Sequence, residues 1–132
     1  MAKPILFATD VIKAAGRDEP KAIAALQQAE ERALPAISVL TEITLVKECK
    51  EEAEYDRLLN FTSRFNVLSL NREISRKSIE VRSQYSGSDL GEAAFLIAAT
   101  AVVHGMSLVT KRQAHFSRID SLSVESYPNP LS

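Results

Sequence analysis

The sequence predicts an α/β domain: a short, mostly parallel sheet of four to five strands between two helical layers. Three observations lead there. Short apolar runs alternate with amphipathic stretches along the 132 residues, as strands joined by helical crossovers do. The apolar runs are continuous rather than alternating, as strands buried on both faces must be. The length allows one hydrophobic core. We therefore read 1–126 as a single domain and 127–132, which carries Tyr127-Pro128-Asn129-Pro130, as an extended tail.

Each element follows from its residues. Pro4 to Ala8 is a fully apolar strand. Asp10 then caps a brief helix that stops at Gly16. Asp18-Glu19-Pro20 opens the next helix, with proline near its first position. Leu34 to Ile37 is the second strand, and Ser38 is an N-cap. Ile43, Val46, Cys49 and Ala53 recur at helical spacing, giving a helix over 38–53. Tyr55, Leu58, Leu59, Thr62 and Phe65 give another over 54–65. Val67 to Leu70 is the third strand, and Asn71 caps a helix running to Gln84. Ser83 to Gly91 is rich in turn formers and reads as a loop. Leu90 to His104 is the most apolar helix, and Gly105 stops it. Met106 to Thr110 and Leu122 to Glu125 are the last two strands.

Composition excludes several classes. There are 16 Lys and Arg against 17 Asp and Glu. The chain is therefore neither a basic nucleic-acid coat nor a disordered acidic polymer. Cys49 is the one cysteine, so an internal disulfide and a Cys-rich zinc site are ruled out. The N-terminal apolar stretch is too short for a secretory signal. The longest apolar run, Ala93 to Val103, falls short of the roughly 20 residues that span a membrane. The expectation is a soluble, cytoplasmic protein without a membrane partner.

In parallel α/β sheets, function gathers beyond the carboxyl ends of the strands. Those segments here are Ala8-Thr9-Asp10-Val11-Ile12, Ile37-Ser38-Val39-Leu40-Thr41, the start of the 90–104 helix, and Thr110 to His115. Together with Phe95-Leu96-Ile97-Ala98-Ala99-Thr100-Ala101, His104-Gly105-Met106-Ser107-Leu108-Val109-Thr110 and the ending Phe116-Ser117-Arg118-Ile119, they resemble the PIN domain. The resemblance is to its VapC-type toxin ribonucleases and covers nearly the whole chain. It implies a three-layer α/β/α sandwich. It also implies metal-dependent phosphodiester hydrolysis, in which converging carboxylates hold Mg²⁺ or Mn²⁺. A homodimer and a small antitoxin partner are implied in the same way.

Carried across residue by residue, most of those carboxylates are missing. Ala8 stands where the family has an aspartate at the end of the first strand, Thr44 where it has a glutamate, and Ala94 where it has a second aspartate. Lys111, Arg112 and His115 stand where Asp or Asn is common. Thr44, Arg112 and His115 are not usual knock-out residues, which favours natural loss. Ala8, Thr9, Asp10, Thr44, Glu92, Ala94, Thr110, Arg112 and His115 thus outline a vestigial pocket. Arg112 is expected at the former metal position, ion-paired to Asp10 or Glu92.

Two acids could substitute. Asp10 could point into the pocket or serve as an N-cap. Glu92, in a Gly91-Glu92 pair found in some PIN relatives, could ligate a metal or complete a capping box with Asp89. Glu42 lies about 200° around its helix from Thr44 and faces elsewhere. Cys49 reads as packed on an apolar helix face, His104 as a helix-end residue and His115 as a loop residue. No phosphate loop or nucleophile elbow is present. Eight Phe and Tyr residues and no Trp argue against a base-stacking platform. Arg72, Arg76, Lys77 and Arg82 form the one basic concentration, either a solvated face interleaved with Glu73 and Glu80 or, through Arg72, Arg76 and Lys77, a strip for nucleic acid.

The expected function is a catalytically inactive PIN-like protein, with no metal cofactor, acting through a protein or RNA. The alternative is a divergent Mg²⁺- or Mn²⁺-dependent ribonuclease that uses Asp10 and Glu92.

Overall fold

The computed structural model describes residues 3–32, 34–125 and 127. The elements run β1 (Ile5–Phe7), α1 (Thr9–Gly16), α2 (Pro20–Arg32), β2 (Ala36–Ser38), α3 (Val39–Glu48), α4 (Glu52–Thr62), β3 (Asn66–Leu68), α5 (Arg72–Gln84), α6 (Glu92–His104), β4 (Ser107–Val109), α7 (Gln113–Phe116) and β5 (Ser123–Glu125). The five strands form one sheet in the order β3-β2-β1-β4-β5. Every pairing is parallel. Among the described residues, no helix is long and apolar enough to cross a membrane. The tail beyond Tyr127 lies outside the described residues.

Period-two alternation divides the core. Leu6, Ala36 and Leu108 face one side, where they pack with Ile74 and Val81 of α5, Phe95 and Ile97 of α6, and Phe116 of α7. Ile5, Phe7, Ile37 and Val109 face the other, against α1 and α2. Adjacent residues of a strand point to opposite faces, so a sheet covered twice must be apolar at both parities.

Several boundaries differ from the sequence reading. The N-cap of α1 is Ala8, and Asp10 lies inside the first turn. The helix begins at the very end of β1, where Ala8 still gives its N–H to Val109 O (2.9 Å). The helix expected over 38–53 ends at Glu48 because Cys49 is extended. The Lys50 N–H beyond it is taken by the Glu54 carboxylate (3.3 Å). Ala53 accordingly belongs to α4, and Cys49 is a C-cap residue rather than part of an apolar helix face. Helix α4 ends at Thr62, and Phe65 packs edge-on to Phe61 beyond it. Ser38 and Asn71 cap as expected, accepting from Leu40 N (3.1 Å) and Ile74 N (2.8 Å). Asp89 and Glu92 make no capping box, since Gly91 is the N-cap of α6 and no side chain bonds there.

Two helices end in the same way with different residues. At α6, Gly105 has φ +65°, and Met106 N–H reaches back to Ala101 O (2.8 Å). At α1, Asp18 has φ +61°, and Glu19 N–H reaches Ala14 O (3.1 Å). Both are Schellman stops, which place one residue in the left-handed region. An L residue pays there for its Cβ and glycine does not. Space is open around Gly105, so a methyl group there would meet only the backbone penalty. Asp18→Gly is expected to raise stability by up to about 1 kcal/mol, and Gly105→Ala to lower it by about 1 kcal/mol. Urea denaturation of the two variants checks both signs. A destabilised Asp18→Gly would show that the aspartate side chain contributes more than its backbone costs.

Candidate functional site

The chain leaves β1 toward β2 and β3, then returns to place β4 on the other side of β1. In open α/β sheets the usual ligand crevice lies at such a reversal, here beyond the β1 and β4 ends. Asp10, one turn past β1, meets Thr110 there. The Thr110 hydroxyl donates to Asp10 Oδ2 (2.9 Å), and the Lys111 N–H donates to the same oxygen (3.1 Å). The Thr110 oxygen also accepts from Arg112 N (3.1 Å). Asp10 Oδ1 is buried and has no protein partner. The N-cap role expected of Asp10 is therefore replaced by a tie between the first and fourth strand ends.

Hydroxyls line the rest of the crevice. Thr9 and Thr41 share a hydrogen bond (2.8 Å) between α1 and α3. Thr44 turns back to the Leu40 carbonyl (2.9 Å), a local bond that spends its donor inside α3. Ala8 is buried and Ala94 half-buried. Mg²⁺ and Mn²⁺ demand several oxygen ligands in near-octahedral array. Asp10 brings one free carboxylate oxygen. Among the described residues, no three His, Cys, Asp or Glu side chains could hold a metal ion together. This donor set does not fit the metal that the resemblance implies.

The other candidates are engaged elsewhere. Glu92 is 72% exposed and paired with Arg82, whose guanidinium lies 5.6 Å from the Phe95 ring centre. Lys111 extends to Glu19 (3.2 Å). Arg112 pairs with neither Asp10 nor Glu92, contrary to expectation, and donates instead to the Asp89 backbone carbonyl (2.5 Å). The turn that gives Arg112 N to Thr110 sends its side chain toward the 85–91 loop. His115 lies on the short helix α7 rather than in a loop. His104 ends α6 and is exposed. Arg72, Arg76 and Lys77 lie together on α5, away from the crevice.

A second polar cluster was not anticipated. Asp89 accepts from the Tyr85 hydroxyl, and its Oδ2 lies 2.9 Å from His115 Nε2. Arg118 covers the Tyr85 ring at 5.6 Å. One carboxylate thus fastens the 85–91 loop to α7. Tyr85 and Asp89 sit four apart in a turn-rich segment, which was the available signal; nothing in the sequence announced the Thr9–Thr41 pair.

A groove of about 590 Å³ opens on the opposite helical layer. Its floor includes Ile23, Leu26, Leu45, Leu58 and Phe61, with half-buried Cys49 beside them.

A parallel sheet with a polar crevice at its reversal point places the molecule among the open α/β domains that carry function at the strand ends. The PIN-domain family model matches residues 5–122, and the chain belongs to that family. Its fold matches solved VapC-type structures, as the sequence resemblance implied. One is a toxin–antitoxin complex from Klebsiella pneumoniae, 25% identical, with a TM-score of 0.77 over 94% of this chain and 97% of that one. Another is VapBC2 from Rickettsia felis bound to a promoter DNA fragment, 22% identical, with a TM-score of 0.79 over 93% and 98%. FitAcB from Neisseria gonorrhoeae is 22% identical, with a TM-score of 0.76 over 94% and 97%. Among curated proteins, none matches the chain.

The Tyr85–Asp89 bond has a pH signature. It holds the Asp89 carboxyl below its ordinary value of 3.8. The same bond, followed by burial, pushes the Tyr85 phenol above 10.0. A lowered acid stabilises the fold above its ordinary value and loses that contribution as pH falls through the folded value. A raised phenol stabilises below its ordinary value and loses that contribution as pH rises through the folded value. Tyr85→Phe is expected to flatten stability against pH in both windows, read by thermal unfolding between acid and alkaline buffers. Unchanged slopes would contradict the assignment.

Proposed function

We propose that this PIN domain is a pseudo-nuclease that acts by binding a protein partner rather than by hydrolysing RNA. The observation that carries this is the state of the crevice. Its one carboxylate among the described residues, Asp10, has Oδ2 committed to Thr110 and Lys111 N, and by the sequence resemblance Ala8, Thr44 and Ala94 stand where the family has acids. A fold can outlast its chemistry.

The partner is an antitoxin-like protein. The similar structures from Klebsiella pneumoniae and Rickettsia felis are toxin–antitoxin assemblies, and the groove of about 590 Å³ supplies an apolar bed for such a chain. A second copy of this chain is the other partner. Ile43 on α3 and Tyr55 and Leu59 on α4 are exposed at 50%, 41% and 40%, more apolar surface than this helical hairpin needs alone. Light scattering tests the pairing, and a concentration-independent monomer removes it. The protein works in the cytoplasm, where a lone thiol is ordinary.

The competing reading is an active Mg²⁺- or Mn²⁺-dependent ribonuclease using Asp10 and Glu92. Its support is the unpartnered Asp10 Oδ1; the Arg82–Glu92 pair opposes it. RNA incubated with Mn²⁺ and the protein, or with its Asp10→Asn or Glu92→Gln variant, is expected to stay intact. Mn²⁺-dependent cleavage that either substitution abolishes would replace our reading with the competing one.

A further inference from the structure

The basic strip on α5 borders a groove that the crevice does not use. Arg72, Glu73, Arg76, Lys77 and Glu80 line one side, and Val102 and Val103 of α6 form the floor. The groove measures about 620 Å³. Val102 lies ten residues along α6 from Glu92, or about 15 Å along the helix axis. The groove is therefore separate from the strand-end site, and an inference drawn from it stands whether or not that site is active.

Charge pairing on this strip is uneven. Lys77 is neutralised by Glu80 (2.7 Å). Arg72 and Arg76 have no hydrogen-bond or ion-pair partner among the described residues, and both are exposed. At 100° per residue, Arg72, Arg76 and Ile79 fall within about 60° of one another on α5. Ile74 and Val81, which are buried, occupy the opposite side. Ile79 is 70% exposed, the most exposed large apolar side chain in the described structure. Two unpaired guanidiniums thus border the aliphatic floor, and Ile79 lies exposed on their other side, outside the groove.

We propose that the α5/α6 groove docks an acidic amphipathic segment of a protein partner. Carboxylates of that segment engage Arg72 and Arg76, which present the planar donor fork that carboxylates match. Its aliphatic side chains cover Val102 and Val103. Nucleic acid fits less well. No aromatic side chain lines the groove for a base to stack on, whereas carboxylates need only the two guanidiniums, and of the groove's acids Glu80 is already neutralised by Lys77.

The test uses the full-length protein and a fluorescein-labelled peptide of repeated Glu-Glu-Leu-Leu blocks. The comparison probes are the same peptide with Lys for Glu, and an oligouridylate of equal length. Anisotropy is expected to show saturable binding of the acidic peptide alone. Replacing both arginines (Arg72→Gln with Arg76→Gln) should weaken it by about tenfold, as losing one to two charge-assisted bonds would. Lys77→Gln should change it less than about twofold, because that charge is already paired. In the wild-type protein, the methyl NMR signals of Val102 and Val103 should move as the peptide is added, a readout that needs no variant to fold. Absence of peptide binding, affinity unaltered in the double variant, methyl shifts confined to other residues, or preferential binding of the oligouridylate would each overturn the proposal.

Discussion

The centre of β1 has no solvent on either side: Leu6 and Phe7 are both 0% exposed. Each such side chain contributes about 1.5–3 kcal/mol by leaving water, and the contribution requires helices on both faces. Parallel pairing then requires crossovers, because the chain must return to the same end of the sheet before each new strand. Those crossovers place helix starts beside strand ends. Polar groups excluded from the strands collect in that one zone. The crevice is thus a consequence of burying β1, and Asp10 meets Thr110 because β1 and β4 are neighbours in register.

What occupies the crevice is a separate matter from what builds it. A working divalent site concentrates negative charge at helix starts, where it also suits the dipoles. Here Asp10 is held by a hydroxyl and a backbone N–H from across the sheet. Thr9 and Thr41 bond each other, and Thr44 bonds its own helix. These contacts tie α1, α3 and the end of β4 together without needing a cation to screen clustered acids. The same economy recurs at Asp89, which joins Tyr85 and His115 across the loop. Polar residues near the site thus serve as fastenings.

The fold was legible because its signals are local and repeated. Short apolar-rich runs marked all five strands, and Ser38, Asn71 and Gly105 punctuated their helices as their chemistry demands. Errors arose where tertiary partners decided. Asp10 is a good N-cap by type, but Thr110, a hundred residues away, offers its oxygen a better position. Asp89 and Glu92 have capping-box spacing, yet Tyr85, His115 and Arg82 claim them. Arg112 follows β4 by three residues, but its side chain goes to the 85–91 loop, which no periodicity describes. The positions where the family's acids are expected could be read from the resemblance alone, since an alanine carries no local sign of a site.

Mn²⁺ titration of the purified protein, followed by the loss of free-ion electron paramagnetic resonance signal, tests the central claim most directly. Our account predicts no stoichiometric site tighter than about millimolar, as one free carboxylate oxygen would give. A single tight site that disappears in Asp10→Asn would contradict it, and would mean that the crevice gathers ligands beyond those the strand ends provide.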